Sequence, residues 1–96
     1  MTYQEKYESL IELFIERTEL SVLTIQKEAK AGFRIASAVY KEWKNYHDEV
    51  YWHNCIYEIS FMDEVPTTAR IMREFNISYY FAQKLFDYYM EVANER

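Results

Sequence analysis

The sequence predicts an all-α fold: two tandem three-helix helix-turn-helix units, residues 1–46 and 47–96, forming one compact six-helix domain. Three observations predict it. One pattern occurs twice, 46 residues apart, over Ser21 to Tyr40 and again over Thr67 to Phe86. Ile25/Ile71, Glu28/Glu74 and Ala36/Ala82 are identical between the copies, and Lys27/Arg73, Phe33/Tyr79, Val39/Leu85 and Tyr40/Phe86 are alike in chemistry. Apolar residues also recur at three- and four-residue spacing along most of the chain, the period of a helix with one face toward a core. Finally, the 96 residues include one Gly and one Pro, too few turn formers for a hairpin-rich fold.

Each element follows from local pattern. Tyr3, Tyr7, Leu10, Ile11 and Phe14 make residues 3–16 an amphipathic helix. Thr18 or Ser21 can cap the second helix through a side-chain oxygen, and that helix runs through Val22, Ile25, Gln26 and Ala29. Gly32 is its expected stop, because glycine takes left-handed dihedrals without strain. The third helix is expected from Phe33 to about Tyr46, with Ile35, Val39, Trp43 and Tyr46 as its apolar stripe. Val50 to Met62 reads as a fourth helix by analogy with the first, although Val50-Tyr51-Trp52 also suits a short strand. Asp63-Glu64-Val65-Pro66 begins a fifth helix over about Thr67 to Phe75, since proline suits the first helical turn. Asn76 can take the left-handed position that follows. Ser78 then caps a sixth helix over about Tyr79 to Ala93, with Phe81, Ala82, Leu85, Tyr89 and Val92 inward.

Half of the residues are apolar and 19% are aromatic, which is enough to bury a core and argues against disorder. The single cysteine, Cys55, cannot form an internal disulfide, so a reduced, cytoplasmic setting is expected. No apolar run approaches the roughly 18 residues of a membrane span, and Met1-Thr2-Tyr3-Gln4-Glu5 does not read as a signal peptide. The net charge of −5 speaks against indiscriminate nucleic-acid binding, but the charge is unevenly distributed. Residues 1–20 set Lys6 and Arg17 against five glutamates, and residues 45–66 carry five acids and no Lys or Arg. Residues 67–96 balance Arg70, Arg73, Lys84 and Arg96 against Glu74, Asp87, Glu91 and Glu95. Residues 21–44 are the exception: Lys27, Lys30, Arg34, Lys41 and Lys44 face only Glu28 and Glu42.

That basic island falls on the first repeat, and its third helix presents Arg34, Ser37, Ala38, Lys41 and Lys44 opposite the apolar stripe. In a helix-turn-helix the second helix enters the DNA major groove. Arg34 and Ser37 would then contact base edges and Ala38 a thymine methyl, while Lys27, Lys30, Lys41 and Lys44 would hold phosphates. The same face also suits an ordinary solvated helix surface. In the second repeat, Arg70, Arg73, Tyr80, Gln83 and Lys84 form a possible second DNA or protein contact face. There Gln83 suits adenine and Lys84 suits phosphate or guanine, whereas Asp87 would repel phosphates.

The first repeat resembles the winged-helix gamma domain of the FtsK DNA translocase family. Ser21-Val22 and Ile25-Gln26-Lys27 fit the first part of the family's pattern, and Gly32-Phe33, Ala36 and Val39 fit the second. Arg73, Phe75, Ile77, Tyr79, Ala82 and Leu85 fit the same frame in the second repeat. The likeness covers about 20 residues per copy. It implies a helix-turn-helix that docks on double-stranded DNA. The family's recognition-helix Arg falls on Ile35 and Phe81, and neither repeat carries the Gly-rich wing that follows in the family. The family's site preference is therefore not implied. The chain also looks like compact plasmid and phage accessory proteins that fuse two such modules.

These readings give a small cytoplasmic double-stranded-DNA-binding protein, a regulator or accessory factor of a mobile element, as monomer or homodimer and without a cofactor. The other reading is an acidic helical protein-interaction module or inhibitor that keeps the fold and does not bind DNA. His47, His53 and Cys55, beside Asp48 and Glu49, match no zinc spacing, and Cys55 suits a small buried apolar residue. One glycine cannot build a phosphate loop, and two nearby His residues make no catalytic triad, so no enzyme activity is expected. The acidic stretches Glu5–Glu19 and Asp48–Glu64 read as solvated helix faces.

Overall fold

A computed structural model describes residues 1–94; Glu95 and Arg96, counted above in the charge of the second repeat, lie outside the described residues. The fold is all-α, with six helices and no strand among the described residues: α1 (Tyr3–Phe14), α2 (Val22–Ala29), α3 (Phe33–Tyr46), α4 (Glu49–Ile59), α5 (Thr68–Phe75) and α6 (Tyr79–Asn94). The chain divides into two units, Met1–His47 and Asp48–Arg96. His47 belongs to the first because its ring Nε2 is 2.8 Å from the Ile15 carbonyl oxygen and its backbone N–H donates to the Trp43 carbonyl.

In the first unit, Thr2 opens α1 with a reciprocal cap. Its hydroxyl accepts from the Glu5 N–H and the Glu5 carboxylate accepts from the Thr2 N–H, both at 3.1 Å; the Thr2 N–H, and next the Thr2 hydroxyl, hold the Glu5 carboxyl below its ordinary pKa. The helix ends at Phe14, two residues before the expected end, with Ile15 as its C-cap. Of the two candidate caps for α2, Ser21 is the one used: its Oγ accepts from the Thr24 N–H at 3.1 Å. The stop after α2 is a correction. Lys30, not Gly32, takes the left-handed conformation (φ 52°, ψ 42°), while Gly32 is extended (φ −69°, ψ 163°) and is the N-cap of α3. The helix needs its left-handed residue immediately after its last turn, and three residues then suffice to turn the chain into α3. α3 packs on both α2 and α1, with Ile35, Ala36 and Val39 buried against Ile11, Phe14 and Ile25 in one core.

The second unit repeats this plan. Asp48 caps α4 by accepting from the Val50 and Tyr51 N–H groups at 2.9 and 3.2 Å, so Val50-Tyr51-Trp52 is helical and the strand alternative falls away. Pro66 lies just before the cap of α5 and not inside its first turn. Thr67 is the N-cap, accepting from the Arg70 N–H at 3.2 Å. Asn76 takes the left-handed position (φ 53°, ψ 52°), and the buried Ser78 caps α6 by accepting from the Phe81 N–H at 3.2 Å. α6 packs on α5 and α4, burying Phe81, Ala82 and Leu85 with Ile59, Ile71 and Cys55. Burial pushes the Cys55 thiol up to about 11. No helix among the described residues is long and apolar enough to cross a membrane.

Candidate nucleic-acid interface

The basic island of the first unit spans α2, the turn and α3. Lys27 lies in the last turn of α2, Lys30 is its left-handed C-cap, and Arg34 is the second residue of α3; all three are exposed. Lys41 and Lys44 are exposed further along α3. At a rise of 1.5 Å per residue they stand about 10 and about 15 Å beyond Arg34, and their spacing puts all three on one side of the helix. Lys44 Nζ lies 5.8 Å from the centre of the Tyr40 ring, on its own helix. No carboxylate among the described residues pairs with Lys27, Lys30, Arg34, Lys41 or Lys44.

The two acids that could neutralise this island are engaged elsewhere. Glu28 takes a 2.9 Å ion pair from Arg17, in the segment before α2. Glu42, on α3, is 5% exposed and accepts a 2.9 Å hydrogen bond from the Tyr7 hydroxyl of α1. The Tyr7 hydroxyl is also 3.3 Å from the Ala38 carbonyl. Burial, and next the Glu42 carboxylate, push the Tyr7 phenol far above the ordinary tyrosine value. The composition counts Glu42 as one more surface acid. Glu42 is bonded to Tyr7, 35 residues away, and no local pattern signals its burial.

Two expected base contacts are placed otherwise. Ser37 is half-buried, with its Oγ enclosed and without a hydrogen-bond partner, so it does not offer its hydroxyl to a base edge. Ala38 is half-buried beside the Tyr7 bond. The exposed part of the face is therefore Arg34, Lys41 and Lys44, with the Phe33 ring in solvent at the first position of α3.

The corresponding face of the second unit is largely engaged with itself. Arg70 pairs with Glu64 at 2.9 Å, and its Nε is enclosed. Gln83 uses both ends of its amide: its Oε1 accepts from the Thr68 hydroxyl and its Nε2 donates to Asp87, each at 3.0 Å. An amide held in this way is not available to an adenine edge. Lys84 Nζ sits 5.4 Å from the centre of the half-buried Tyr80 ring. Arg73 and Lys84 are the exposed cations of this face. The Gln83–Asp87 bond, four residues apart on one helix, is readable in the sequence; the bond from Thr68 requires α5 to be packed on α6.

The residues considered for a metal do not assemble. His47 is held at the Ile15 carbonyl, His53 is exposed, and Cys55 is a buried free thiol. Among the described residues, no three His, Cys, Asp or Glu side chains gather. The second unit instead contains an open groove of about 260 Å³ between α4 and α6, whose walls include His53, Ile56, Tyr57, Tyr89 and Val92. No family model, no curated protein and no solved structure matches this chain.

Proposed function

We propose that the first unit binds double-stranded DNA, with α3 in the major groove. The observation that carries this reading is the unneutralised cationic face: five exposed cations around one helix–turn–helix, while Glu28 and Glu42 are engaged by Arg17 and Tyr7. The N-terminal end of α3 is the part that would meet base edges, which places Arg34 beside the bases. Arg34 would donate to a guanine, and Lys27, Lys30, Lys41 and Lys44 would hold flanking phosphates. The resemblance to the FtsK gamma domain supports the same docking frame. The second unit, with Gln83 and Arg70 engaged internally, does not act as an equal second reader. In this reading the protein is a cytoplasmic regulator or accessory factor of a mobile element, and its net charge of −5 limits binding to this one face.

Fluorescence anisotropy with a duplex of about 30 base pairs, some three helical turns, tests the proposal at two salt concentrations. Micromolar or tighter binding that weakens steeply with salt is expected. Lys41→Ala should lower the log–log salt slope by about one on every sequence, and Arg34→Ala should relax preference at one base position. Absence of binding at low salt, or wild-type behaviour of both variants, overturns the reading.

A further inference from the structure

The N-terminal end of α3 carries an exposed aromatic ring among cations. Phe33, the first residue of the helix, is 68% exposed. Ser37, Lys41 and Lys44 follow it at i+4, i+8 and i+11, a spacing that keeps all four on one side of the helix. A single exposed phenylalanine needs no explanation on an ordinary surface. This one stands between Lys30 and Arg34 in the chain and shares its side of α3 with Lys41 and Lys44. All four cations are exposed and have no carboxylate partner among the described residues.

This end of the helix is open. Gly32, the N-cap before Phe33, is extended and has no side chain, and a Cβ placed there would meet no atom within 4 Å. Side chains lean toward the N-terminus of their helix. A ring at the first position therefore belongs to the end that meets base edges in a helix-turn-helix. Ser37 and Ala38 are half-buried, which leaves Phe33 as the exposed apolar group beside Arg34. A phenylalanine ring has no polar atom for a base edge. Thymine alone of the four bases presents an apolar group in the major groove, its 5-methyl. Consecutive Cα atoms are about 3.8 Å apart and successive base pairs about 3.4 Å, so residues 33 and 34 can address adjacent base pairs.

We propose that Phe33 is a specificity-determining residue, packing its ring on the 5-methyl group of a thymine one base-pair step from the guanine bonded by Arg34. The proposal rests on the DNA reading of the first unit and adds a sequence requirement to it. A cationic face alone binds any duplex, and Arg34 alone selects one base pair. Phe33 extends the selection to a second, neighbouring pair. Its contact is apolar and releases no counterion, so it changes preference without changing the salt dependence.

The test selects a preferred duplex from a randomised pool with the full chain. Each thymine in it is then replaced in turn by deoxyuridine, which removes the 5-methyl group and nothing else. Affinities are read by fluorescence anisotropy at two salt concentrations. One replacement, next to the base pair at which Arg34→Ala relaxes preference, should weaken wild-type binding about fourfold, the factor that one buried methyl group contributes. Phe33→Ala should bind the thymine and deoxyuridine duplexes equally at that position, with the wild-type salt slope and unchanged helix content by circular dichroism. Salt-dependent wild-type binding that ignores every replacement, or responds only away from that base pair, overturns the proposal and leaves the DNA reading standing. A selected site without a thymine there does the same. So does a Phe33→Ala variant that keeps the thymine preference, or that loses all binding with its helices intact. Absence of salt-dependent binding to any duplex overturns both.

Discussion

The two units share a backbone schedule and differ in what they do with their polar side chains. α2 and α5 are each eight residues long, each follows a hydroxyl cap (Ser21 or Thr67), and each ends on a left-handed residue (Lys30 or Asn76). α1 and α4, and α3 and α6, also begin 46 residues apart. On this common schedule the first unit draws its acids away from a cationic face, through Arg17–Glu28 and Tyr7–Glu42. The second uses its own Glu64, Thr68 and Asp87 to occupy Arg70 and Gln83. The two three-helix units thus share the hydroxyl cap and left-handed stop of α2 and α5, while their surfaces diverge through the partners available to each polar group. The difference is functional information, because only groups not already satisfied within the chain are left for a ligand.

The largest expected difference between the units is at Tyr7. Tyr7→Phe removes a hydrogen bond to a buried carboxylate and should destabilise the first unit by about 2 kcal/mol, the scale of a hydrogen bond to a charged group. His53→Ala, at the corresponding place in the second unit, should change little. Urea denaturation of the two variants tests this contrast, and an equal response would mean that the Tyr7–Glu42 bond adds no stability.

Alkaline pH should separate the units next. The folded state holds the Cys55 thiol protonated up to about 11, against an ordinary value of about 8.5. A folded-state value raised above the unfolded one leaves stability intact below about pH 8.5 and removes it as pH rises toward about 11, by at most about 1.4 kcal/mol per pH unit. Tyr7 acts with the same sign, but only above the ordinary tyrosine value of about 10. Melting temperature should therefore begin to fall near pH 9. Cys55→Ala should delay that fall to the range where Tyr7 contributes; an unchanged profile would remove Cys55 as its cause.

Capping gives a smaller effect. Ser78→Ala should cost about 1–2 kcal/mol, because it leaves the Phe81 N–H without its acceptor in a buried site. Gly32 has no side-chain cap bond and open space where a Cβ would stand, so Gly32→Ser should gain a few tenths of a kcal/mol. The two left-handed positions come last. Lys30→Gly should stabilise the first unit by about 1 kcal/mol by relieving a lysine at positive φ. Asn76→Gly should gain less, because asparagine tolerates that region. Thermal melts of the four variants rank them, and a destabilised Lys30→Gly would show that the lysine side chain stabilises the turn in its own right.

The starts of α3 and α6, the left-handed Asn76 and the Ser78 cap are legible because each rests on residues within one helical turn. Gly32 misleads for the same reason: glycine is permitted at a left-handed position and equally permitted at an extended N-cap, and the sequence does not say which. The Arg34–Lys41–Lys44 alignment is a property of helical period and is readable in advance. The enclosure of Ser37 Oγ and the capture of Gln83 by Thr68 are not, because they depend on which side chains meet after the helices pack.

The sequence by itself determined the helical character of both repeats, their register and the local excess of positive charge over residues 21–44. Periodicity, capping residues and composition act over a few neighbouring positions or by simple addition. Tertiary structure alone decided which charges remain unpaired and where the seam between helices is filled or open. Those outcomes depend on contacts such as Tyr7 with Glu42, 35 residues apart, and on Ser60 standing where the first unit buries Phe14. A side chain's availability is set by burial and by partners brought close in space, and neither is a function of its immediate sequence.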